Sequence, residues 1–339
     1  MKFIVVVSQD IHFSQFYMAP MIINPGLAGA EFDTRAVLQY RDQWRSVSTP
    51  YTTFQGSYDM RFKTSSSQKG FFGAGVVLLG DVAGDSKMGT TLANLSGSYH
   101  VYLQKNMTLG VGVQGGAFQR SFDETSLKWG NQYESGQYNG SVLSNETLSD
   151  NGNRFVKSDL SAGITFNYQK GNSTISSGDH FNVAAGVAFK HINNPSYTYS
   201  IIQSDDRLYR KLVSHVNIEY GIVNTNIILN PALLYMSQGP SQDVFGGLNV
   251  TYKLQDESKV TGLKKASSVT VGGFYRNKDA FVTTFMVQYS KYSFGASYDI
   301  NSSPLTKISR GRGAIEFFFR YVTPSPFKSG SSSGKSRFD

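Results

Sequence analysis

The residues YSFGASYDI, at positions 292–300, decide the fold. Tyr292, Phe294, Ala296, Tyr298 and Ile300 alternate with small or polar residues. Because successive side chains of a β-strand point to opposite faces, this stretch predicts a strand with one apolar, aromatic face and one small, polar face. The same alternation recurs along most of the chain, whereas helical periodicity is hard to find. The sequence is therefore that of an all-β protein.

Segments with this alternation are separated by polar or glycine-containing turns. They are residues 35–44, 51–62, 70–80, 91–104, 107–120, 155–169, 179–191, 206–220, 224–237, 243–254, 267–276, 280–289, 291–300 and 313–322. Many span about 10–15 residues, whereas soluble strands average about 5–6 and tilted membrane strands need about 9–11. An even number returns the chain to its starting side, as bacterial single-chain barrels require. We therefore predict a transmembrane antiparallel β-barrel of about 14 strands over residues 35–322. A soluble sandwich with one wet face is the alternative.

The composition fits many strands and excludes several classes of site. Among the 339 residues, 34 are glycine, 14% are aromatic and none is cysteine. The lack of cysteine excludes disulfides, zinc–thiolate sites and thiol nucleophiles. The formal net charge is +8, but the basic residues are scattered along the chain. A nucleic-acid-binding protein more often clusters them, so we expect no nucleic-acid partner.

No motif in the sequence predicts an enzyme. Residues 110–115 match G-x-G-x-x-G, but these glycines lie in an alternating run. A dinucleotide site requires a strand before the motif and a helix after it, so we interpret the glycines as relieving crowding in a barrel wall. The five histidines show no metal-ligand spacing, and the carboxylate pairs lie in turns. We expect no catalytic residue, no metal and no cofactor.

Three segments lie outside the predicted barrel. Residues 1–8 resemble a truncated signal peptide, with the mature chain beginning at Gln9. Residues 9–34 lack strand or long-helix periodicity and predict a plug inside the barrel or, alternatively, a poorly ordered periplasmic lead. Residues 323–339 are rich in serine, glycine and lysine and predict a flexible tail. The plug residues that we single out are His12, Phe13, Phe16, Tyr17, Asn24 and Pro25.

The longest predicted connection runs over residues 121–154. If the chain enters the barrel from the periplasmic side, this connection faces outward, because barrels keep their short turns on the periplasmic side. It carries Trp129, Tyr133 and Tyr138. Exposed aromatic side chains are effective anchors in protein interfaces, so we predict a docking surface for a partner protein at these residues.

A series of short motifs runs through the chain in order. They are residues 10–17, Asn24-Pro25, Ala28-Gly29, Tyr40-Arg41 with Gln43-Trp44, Ser57-Tyr58-Asp59, residues 81–84, 273–276, 279–280, 297–299 and 302–305. Together they resemble the PorP/SprF family, outer-membrane proteins tied to type IX secretion in Bacteroidota. The resemblance covers nearly all of residues 9–322. Ile11 departs from it, because proline is expected at that position.

The resemblance implies a location in the bacterial outer membrane and a role at the cell surface. It implies a barrel similar to the long-chain fatty-acid transporter type that binds and anchors, or helps to export, type IX cargo such as a gliding adhesin. The implied partners are the C-terminal domain of the cargo protein, periplasmic secretion and motility components, and outer-membrane lipid. Two alternatives stay open. One is a transporter for hydrophobic small molecules, with an apolar lumen and a movable plug. The other is a secreted, soluble β-protein that binds glycans through exposed Trp and Tyr.

Overall fold

The structure is a computed structural model. It describes residues 10–47, 49–62, 69–84, 87–123, 126–143, 145, 154–170, 180–197, 207–255, 265–304 and 306–323. The predicted signal-peptide remnant, Gln9 and residues 324–339 of the predicted tail lie outside the described residues. Thr323, the first residue of the predicted tail, is instead the last residue of the final strand.

Fourteen strands in the described residues form one closed antiparallel barrel. The strands are β1 (Thr34–Gln43), β2 (Tyr51–Phe62), β3 (Gly70–Ala83), β4 (Met88–Gln104), β5 (Met107–Ser121), β8 (Arg154–Lys170), β9 (Phe181–Lys190), β10 (Lys211–Gly221), β11 (Ile227–Gln238), β12 (Ser241–Gln255), β13 (Ser267–Arg276), β14 (Ala280–Tyr289), β15 (Tyr292–Asn301) and β16 (Arg312–Thr323). A separate two-stranded hairpin is formed by β6 (Tyr133–Glu134) and β7 (Gln137–Tyr138). The first and last strands close the ring, with Thr34 opposite Thr323. The predicted barrel of about 14 strands is confirmed.

The barrel wall carries apolar side chains outside and polar side chains inside. Leu38, Phe54 and Phe285 point outward with 49%, 53% and 49% of their surface exposed, whereas Gln39 and Gln55 are buried on the inner face. A continuous apolar surface around a whole barrel is unfavourable in water, whereas lipid tails cover such a surface favourably. The closed ring also pairs every strand edge, which a membrane requires because it offers no water to an unpaired backbone group.

The two rims of the barrel differ in their connections. We call the rim at which β1 begins and β16 ends the terminal rim, and the opposite one the loop rim. The loop rim carries the two longest connections, residues 122–153 and 191–210. The second of these folds back over β8, where Ile192 donates a backbone hydrogen bond to Leu160. This hydrogen bond replaces strand pairing, because β8 extends further towards the loop rim than its neighbour β9 and its backbone groups there have no partner on β9.

Helical structure in the described residues is confined to short segments. These are α1 (Pro20–Ile23), α2 (Thr306–Ser309) and 3-10 turns at Phe16–Met18, Pro25–Leu27 and Gly130–Gln132. None of the described helices has the length and apolar character to cross a membrane.

Candidate functional site

Residues 10–33, which we call the plug, occupy the lumen of the barrel. The plug begins at the loop rim, where Asp10 contacts His191 and Lys211. It ends at the terminal rim, where the Asp33 N–H donates to the Thr323 carbonyl at 2.7 Å. The chain therefore crosses the whole lumen before it turns back into the wall as β1.

A buried charge network holds the first part of the plug to β1, β15 and β16. Glu316 accepts hydrogen bonds from the backbone N–H groups of Ser14 (2.6 Å) and Gln15 (3.0 Å). The Ser14 hydroxyl donates to Asp299 (2.7 Å) and accepts from Arg41 (2.7 Å). Arg41 pairs with both carboxylates, and all three charged side chains are only 1–2% exposed. Buried charges need hydrogen-bond partners, and the plug supplies partners to all three charged side chains of this network.

His12, one of the predicted plug residues, extends this network to β13. Arg276 donates to Asp299 at 2.8 Å, and a second guanidinium nitrogen lies 2.9 Å from His12 Nε2. A guanidinium can only donate, so His12 accepts at Nε2 and carries no proton on that nitrogen. A neutral His12 therefore lets a fourth wall strand, β13, bind the plug without adding a buried charge.

Asp10 fixes the beginning of the plug at the loop rim. Its carboxylate lies 2.8 Å from His191 and 3.5 Å from Lys211, and its N–H donates to Gln238 at 3.2 Å. The other ring nitrogen of His191 lies 2.8 Å from Asp159. Burial lowers the pKa of His191, but the Asp10 charge and the hydrogen bonds to Asp10 and Asp159 outweigh burial and raise the pKa to about 9. His191 is therefore an imidazolium held between two carboxylates at neutral pH.

A second ion pair holds the plug at the terminal rim. Arg35 makes a bidentate pair with Asp59 at 2.8 and 3.1 Å, and also donates to the Leu27 carbonyl at 3.2 Å. Asp59 accepts from the Gly29 N–H at 2.9 Å, and Arg61 donates to the Gly29 carbonyl at 2.9 Å. The backbone of the plug is thus bound from both its donor and its acceptor side.

Asn24 and the residues after it bind the plug to the centre of the wall. The Asn24 side chain accepts from the Gly26 N–H (2.8 Å) and donates to the strand carbonyls of Ile164 (3.0 Å) and Val187 (3.3 Å). It thereby caps the 3-10 turn Pro25–Leu27, whose proline is a predicted plug residue. One amide therefore satisfies groups on the plug and on two strands at once.

The wall is built from glycine where the plug passes closest. A Cβ atom added at Gly112 would collide with the backbone of Gly26, and one added at Gly73 would collide with the Ala28 carbonyl. Gly112 belongs to the G-x-G-x-x-G match, which lies entirely within β5. The interpretation as relief of crowding holds for two of the three motif glycines: the plug backbone crowds Gly112, and the wall side chains of His100 and Thr165 crowd Gly110, whereas Gly115 has only an ordinary contact with Leu160.

The aromatic plug residues pack against apolar patches of the inner wall. Phe16 is buried, with its ring centroid 5.3 Å from that of Phe245. Tyr17 stacks on Phe274 at 5.7 Å. Phe13 is also buried, in a separate cluster nearer β3. The plug is therefore held by buried apolar contacts as well as by hydrogen bonds and ion pairs, and it packs against the inner wall as the core of a protein does.

The predicted docking residues lie apart from the plug, on the loop rim. Tyr133 and Tyr138 are opposite each other in the β6–β7 hairpin, with ring centroids 5.6 Å apart and exposed fractions of 48% and 42%. The Lys128 ammonium lies 5.0 Å from the Tyr138 ring. Trp129 is half-buried and precedes the turn Gly130–Gln132. The structure therefore brings the two tyrosines together and leaves their role a prediction.

The charged partners of the plug were missed as site residues by the sequence analysis. Arg41, Asp59, Arg276 and Asp299 all lie within the short motifs that carry the family resemblance. Their only signal from the residues alone was a charge on the polar face of a strand. That signal does not distinguish a buried lumenal ion pair from a solvated side chain.

Comparison with solved structures returns membrane barrels of low sequence identity. The toluene transporter TbuX of Ralstonia pickettii is 12% identical, with a TM-score of 0.49 over 93% of this chain and 95% of that chain. The deltaS2 mutant of the TodX monoaromatic hydrocarbon channel is 9% identical, with a TM-score of 0.46 over 90% and 92%. BamA from Haemophilus ducreyi lacking POTRA domains 1–3 is 9% identical, with a TM-score of 0.42 over 86% and 70%. No curated protein matches the chain significantly.

A family model gives a direct assignment. The model of the type IX secretion system membrane protein PorP/SprF matches residues 5–321, which is nearly the whole chain. The match agrees with the closed barrel, its lipid-facing outer surface and the motifs that converge on the plug. The chain is therefore a member of the PorP/SprF family, a β-barrel of the type IX secretion system located in the outer membrane.

Proposed function

We propose that this barrel binds type IX cargo at the cell surface and anchors it there or assists its export. The cargo's C-terminal domain, or a surface adhesin, is the proposed partner of the loop rim. Periplasmic secretion and motility components are the proposed partners of the terminal rim. The plug fills the lumen between these two surfaces.

The observation that carries the proposal is the exposed tyrosine pair on the connection of residues 122–153. Outer-membrane barrels direct their long loops to the cell exterior, which assigns the loop rim to the outside. Tyr133 and Tyr138 are held in a hairpin there and present two large amphipathic rings to solvent. Rigid aromatic side chains bury much area for little loss of entropy, so they suit a docking surface.

The filled lumen supports binding over transport of hydrophobic molecules. A transporter is expected to offer an apolar path and a movable plug. Here the inner face carries buried polar side chains such as Gln55, His100 and Thr165. Ion pairs that include Arg41 and Arg35 fix the plug near both rims.

The terminal rim supplies a surface for the periplasmic partners. The plug leaves the lumen there through Glu31, whose side chain is 61% exposed although it pairs with buried Arg35. A charged group at this point is accessible to a periplasmic protein while its partner arginine holds the plug. Contact at the terminal rim would couple periplasmic machinery to a barrel that carries cargo outside.

The test replaces Tyr133 and Tyr138 with alanine in the protein expressed in its native outer membrane. A mild-detergent pull-down followed by mass spectrometry measures the recovery of cargo. We expect recovery to fall about tenfold or more, because truncation of two interface aromatics costs at least 1–2 kcal/mol, by roughly the scale of interface hot spots. Tyr209→Ala, which removes a 52% exposed tyrosine elsewhere on the loop rim, is the matched control.

Two outcomes would count against the proposal. Cargo recovered in full with the double variant, at equal barrel abundance, would remove the tyrosine pair from the interface. Recovery of the wild-type barrel alone, together with bound lipid or another hydrophobic ligand, would favour the transporter alternative.

A further inference from the structure

Every strand of the ring has a neighbour on both sides, but β8 extends beyond β9 at the loop rim. Pairing between these two strands begins at Ala162, opposite Phe189. On its other side, β8 stays paired with β5 up to Arg154, opposite Ser121. Residues 154–161, which we call the β8 overhang, therefore have a strand neighbour on one side only. The free edge of the overhang faces the place that a longer β9 would occupy.

The part of this free edge that lies nearest to β9 is capped by the connection 191–210. The Ile192 N–H donates to the Leu160 carbonyl at 2.9 Å. The Asn193 side chain accepts from the Leu160 N–H at 3.1 Å and donates to the Ser158 carbonyl at 2.9 Å. The cap ends at this carbonyl, and the described residues provide no further cap towards the loop rim.

The backbone groups beyond the cap follow the period of a strand. In a strand, the N–H and C=O groups of alternate residues point to the same side, so Val156 and Ser158 present theirs on the same side as Leu160, away from β5. The Ser158 N–H and both backbone groups of Val156 have no backbone partner in the described part of the chain. Both residues are exposed, and the exposed fraction of Val156 is 59%. Unpaired groups in a row on an exposed edge form a template for another strand.

The overhang is held in place from its inner face. Phe155 is buried in an apolar cluster with Phe118 and Leu208. Asp159 is 2% exposed and lies 2.8 Å from His191. These inward side chains alternate with the outward ones, so the strand is fixed by packing and by an ion pair as well as by its pairing with β5. A strand that is already ordered loses little conformational entropy when a partner binds to it.

The position of the overhang determines which partners can reach it. It lies at the loop rim, which the direction of long loops assigns to the cell exterior. The connection that carries Tyr133 and Tyr138 leads into it at Arg154. A lipid headgroup offers no regular row of donors and acceptors, whereas an extended polypeptide offers both at the spacing of a strand. An extended segment of a protein at the cell surface therefore fits this edge.

We propose that cargo docks on this barrel by strand addition, with an extended segment of the cargo protein paired to the β8 overhang at Val156 and Ser158. The inference rests on the proposed binding of cargo at the loop rim and adds the mode of that binding. Main-chain hydrogen bonds hold the segment in the place where β9 has already ended. The exposed Val156 side chain favours a β-branched or other apolar residue opposite it on the outer face. The Tyr133–Tyr138 pair and the overhang then contact the same partner.

The first experiment replaces Val156 with the photoreactive amino acid p-benzoylphenylalanine in the full chain, expressed in its native outer membrane. After irradiation, mass spectrometry identifies the crosslinked peptides. We expect an adduct with the surface protein that the wild-type barrel recovers in the pull-down, within a single segment of that protein. Val113, which is 61% exposed on the outer face of β5, receives the same replacement as a control and should give no adduct with another protein.

The second experiment removes one backbone donor from the free edge. Val156→Pro lacks the N–H that points to the partner, and it leaves the pairing with β5 intact because that N–H does not face β5. Val156→Thr keeps the N–H and the β-branched shape, so it is the matched control. We expect cargo recovery to fall about tenfold with Val156→Pro, because a hydrogen bond is lost and its acceptor on the cargo stays unpaired. Recovery with Val156→Thr should stay within about twofold of wild type. Retention of the heat-resistant folded form on gels shows that each variant is still a barrel.

The outcomes distinguish this inference from the proposed function. Recovery of no cargo by the wild type would overturn the proposed function, and strand addition with it. If the wild type recovers cargo but Val156→Pro recovers as much as Val156→Thr, binding at the loop rim stands and strand addition is refuted. Lack of an adduct at position 156, while cargo is still recovered, refutes it as well. A crosslink to residues 146–153 or 198–206 of the same chain, or to a second copy of the barrel, also overturns the inference, because the edge then has another occupant.

Discussion

The Arg41→Met variant tests whether the buried charge network holds the plug. Arg41 neutralises Asp299 and Glu316 in a site where all three side chains are 1–2% exposed. Without the guanidinium, two buried carboxylates face each other, and only Asp299 keeps a cation, Arg276. Removing one partner of a buried ion pair costs about 3–5 kcal/mol. Because Glu316 binds the plug through Ser14 and Gln15, we expect most of that cost to appear as local release of the plug.

Hydrogen exchange of the Ser14 and Gln15 amides measures this release directly. Both amides donate to Glu316 and exchange with water only when that contact opens. A cost of about 3–5 kcal/mol corresponds to exchange that is faster by roughly two to three and a half orders of magnitude. The double variant Arg41→Met with Glu316→Gln removes one charge of each sign and should recover part of the protection.

A matched control distinguishes the loss of a buried ion pair from the loss of an arginine in general. Arg45 pairs with Asp42 just beyond the end of β1, but its side chain is 74% exposed. Its partner Asp42 is only 4% exposed, but water hydrates the Arg45 guanidinium and screens the pair. Arg45→Met should therefore leave exchange in the plug nearly unchanged. Equal exchange at Ser14 in wild type and Arg41→Met would refute the reasoning, because the network would then not be what holds the plug.

Two further predictions concern the wall and the loop rim. Gly112→Ala places a Cβ against the plug backbone and should lower stability by about 1–3 kcal/mol, seen as a lower thermal midpoint, whereas Gly97→Ala adds its Cβ in open space and should have little effect. The pKa of His191 is raised from 6.5 to about 9, so the contribution of its protonated form is fully present below about pH 6.5 and is lost as the pH rises through 9. The thermal midpoint should therefore fall between pH 6.5 and 9 in the wild type and change less in His191→Gln. Parallel pH profiles for the two proteins would contradict this assignment.

Much of the barrel can be predicted from the sequence because a wall between lipid and a polar lumen imposes a period of two on every strand. The predicted segments 51–62, 267–276 and 280–289 coincide with β2, β13 and β14. Other predicted segments differ from the observed strands at their ends. β3 continues to Ala83 beyond the predicted residue 80, because pairing with β4 extends through Asp81, a charged residue that reads as a turn.

The plug and its partners follow no such period. Its conformation depends on hydrogen bonds to strands far along the chain, such as those from Ser14 to Asp299 and Glu316. No local pattern specifies which inward-facing charge meets which plug residue. The apolar plug residues Phe13 and Phe16 were recognisable by composition, whereas Arg41 and Glu316 look like ordinary strand residues until the ring is closed.

The position of the plug network has a consequence for biogenesis. Arg41 and Glu316 lie on β1 and β16, the two strands whose pairing closes the ring, and the plug residue Ser14 bonds to both. The seam between the first and last strands is thus also the one that the N-terminal segment bridges. A ring closed around an empty lumen would trap unmatched charge along its own seam. We therefore expect the plug to act as a template for closure, so that threading of the N-terminus and sealing of the barrel are coupled in assembly.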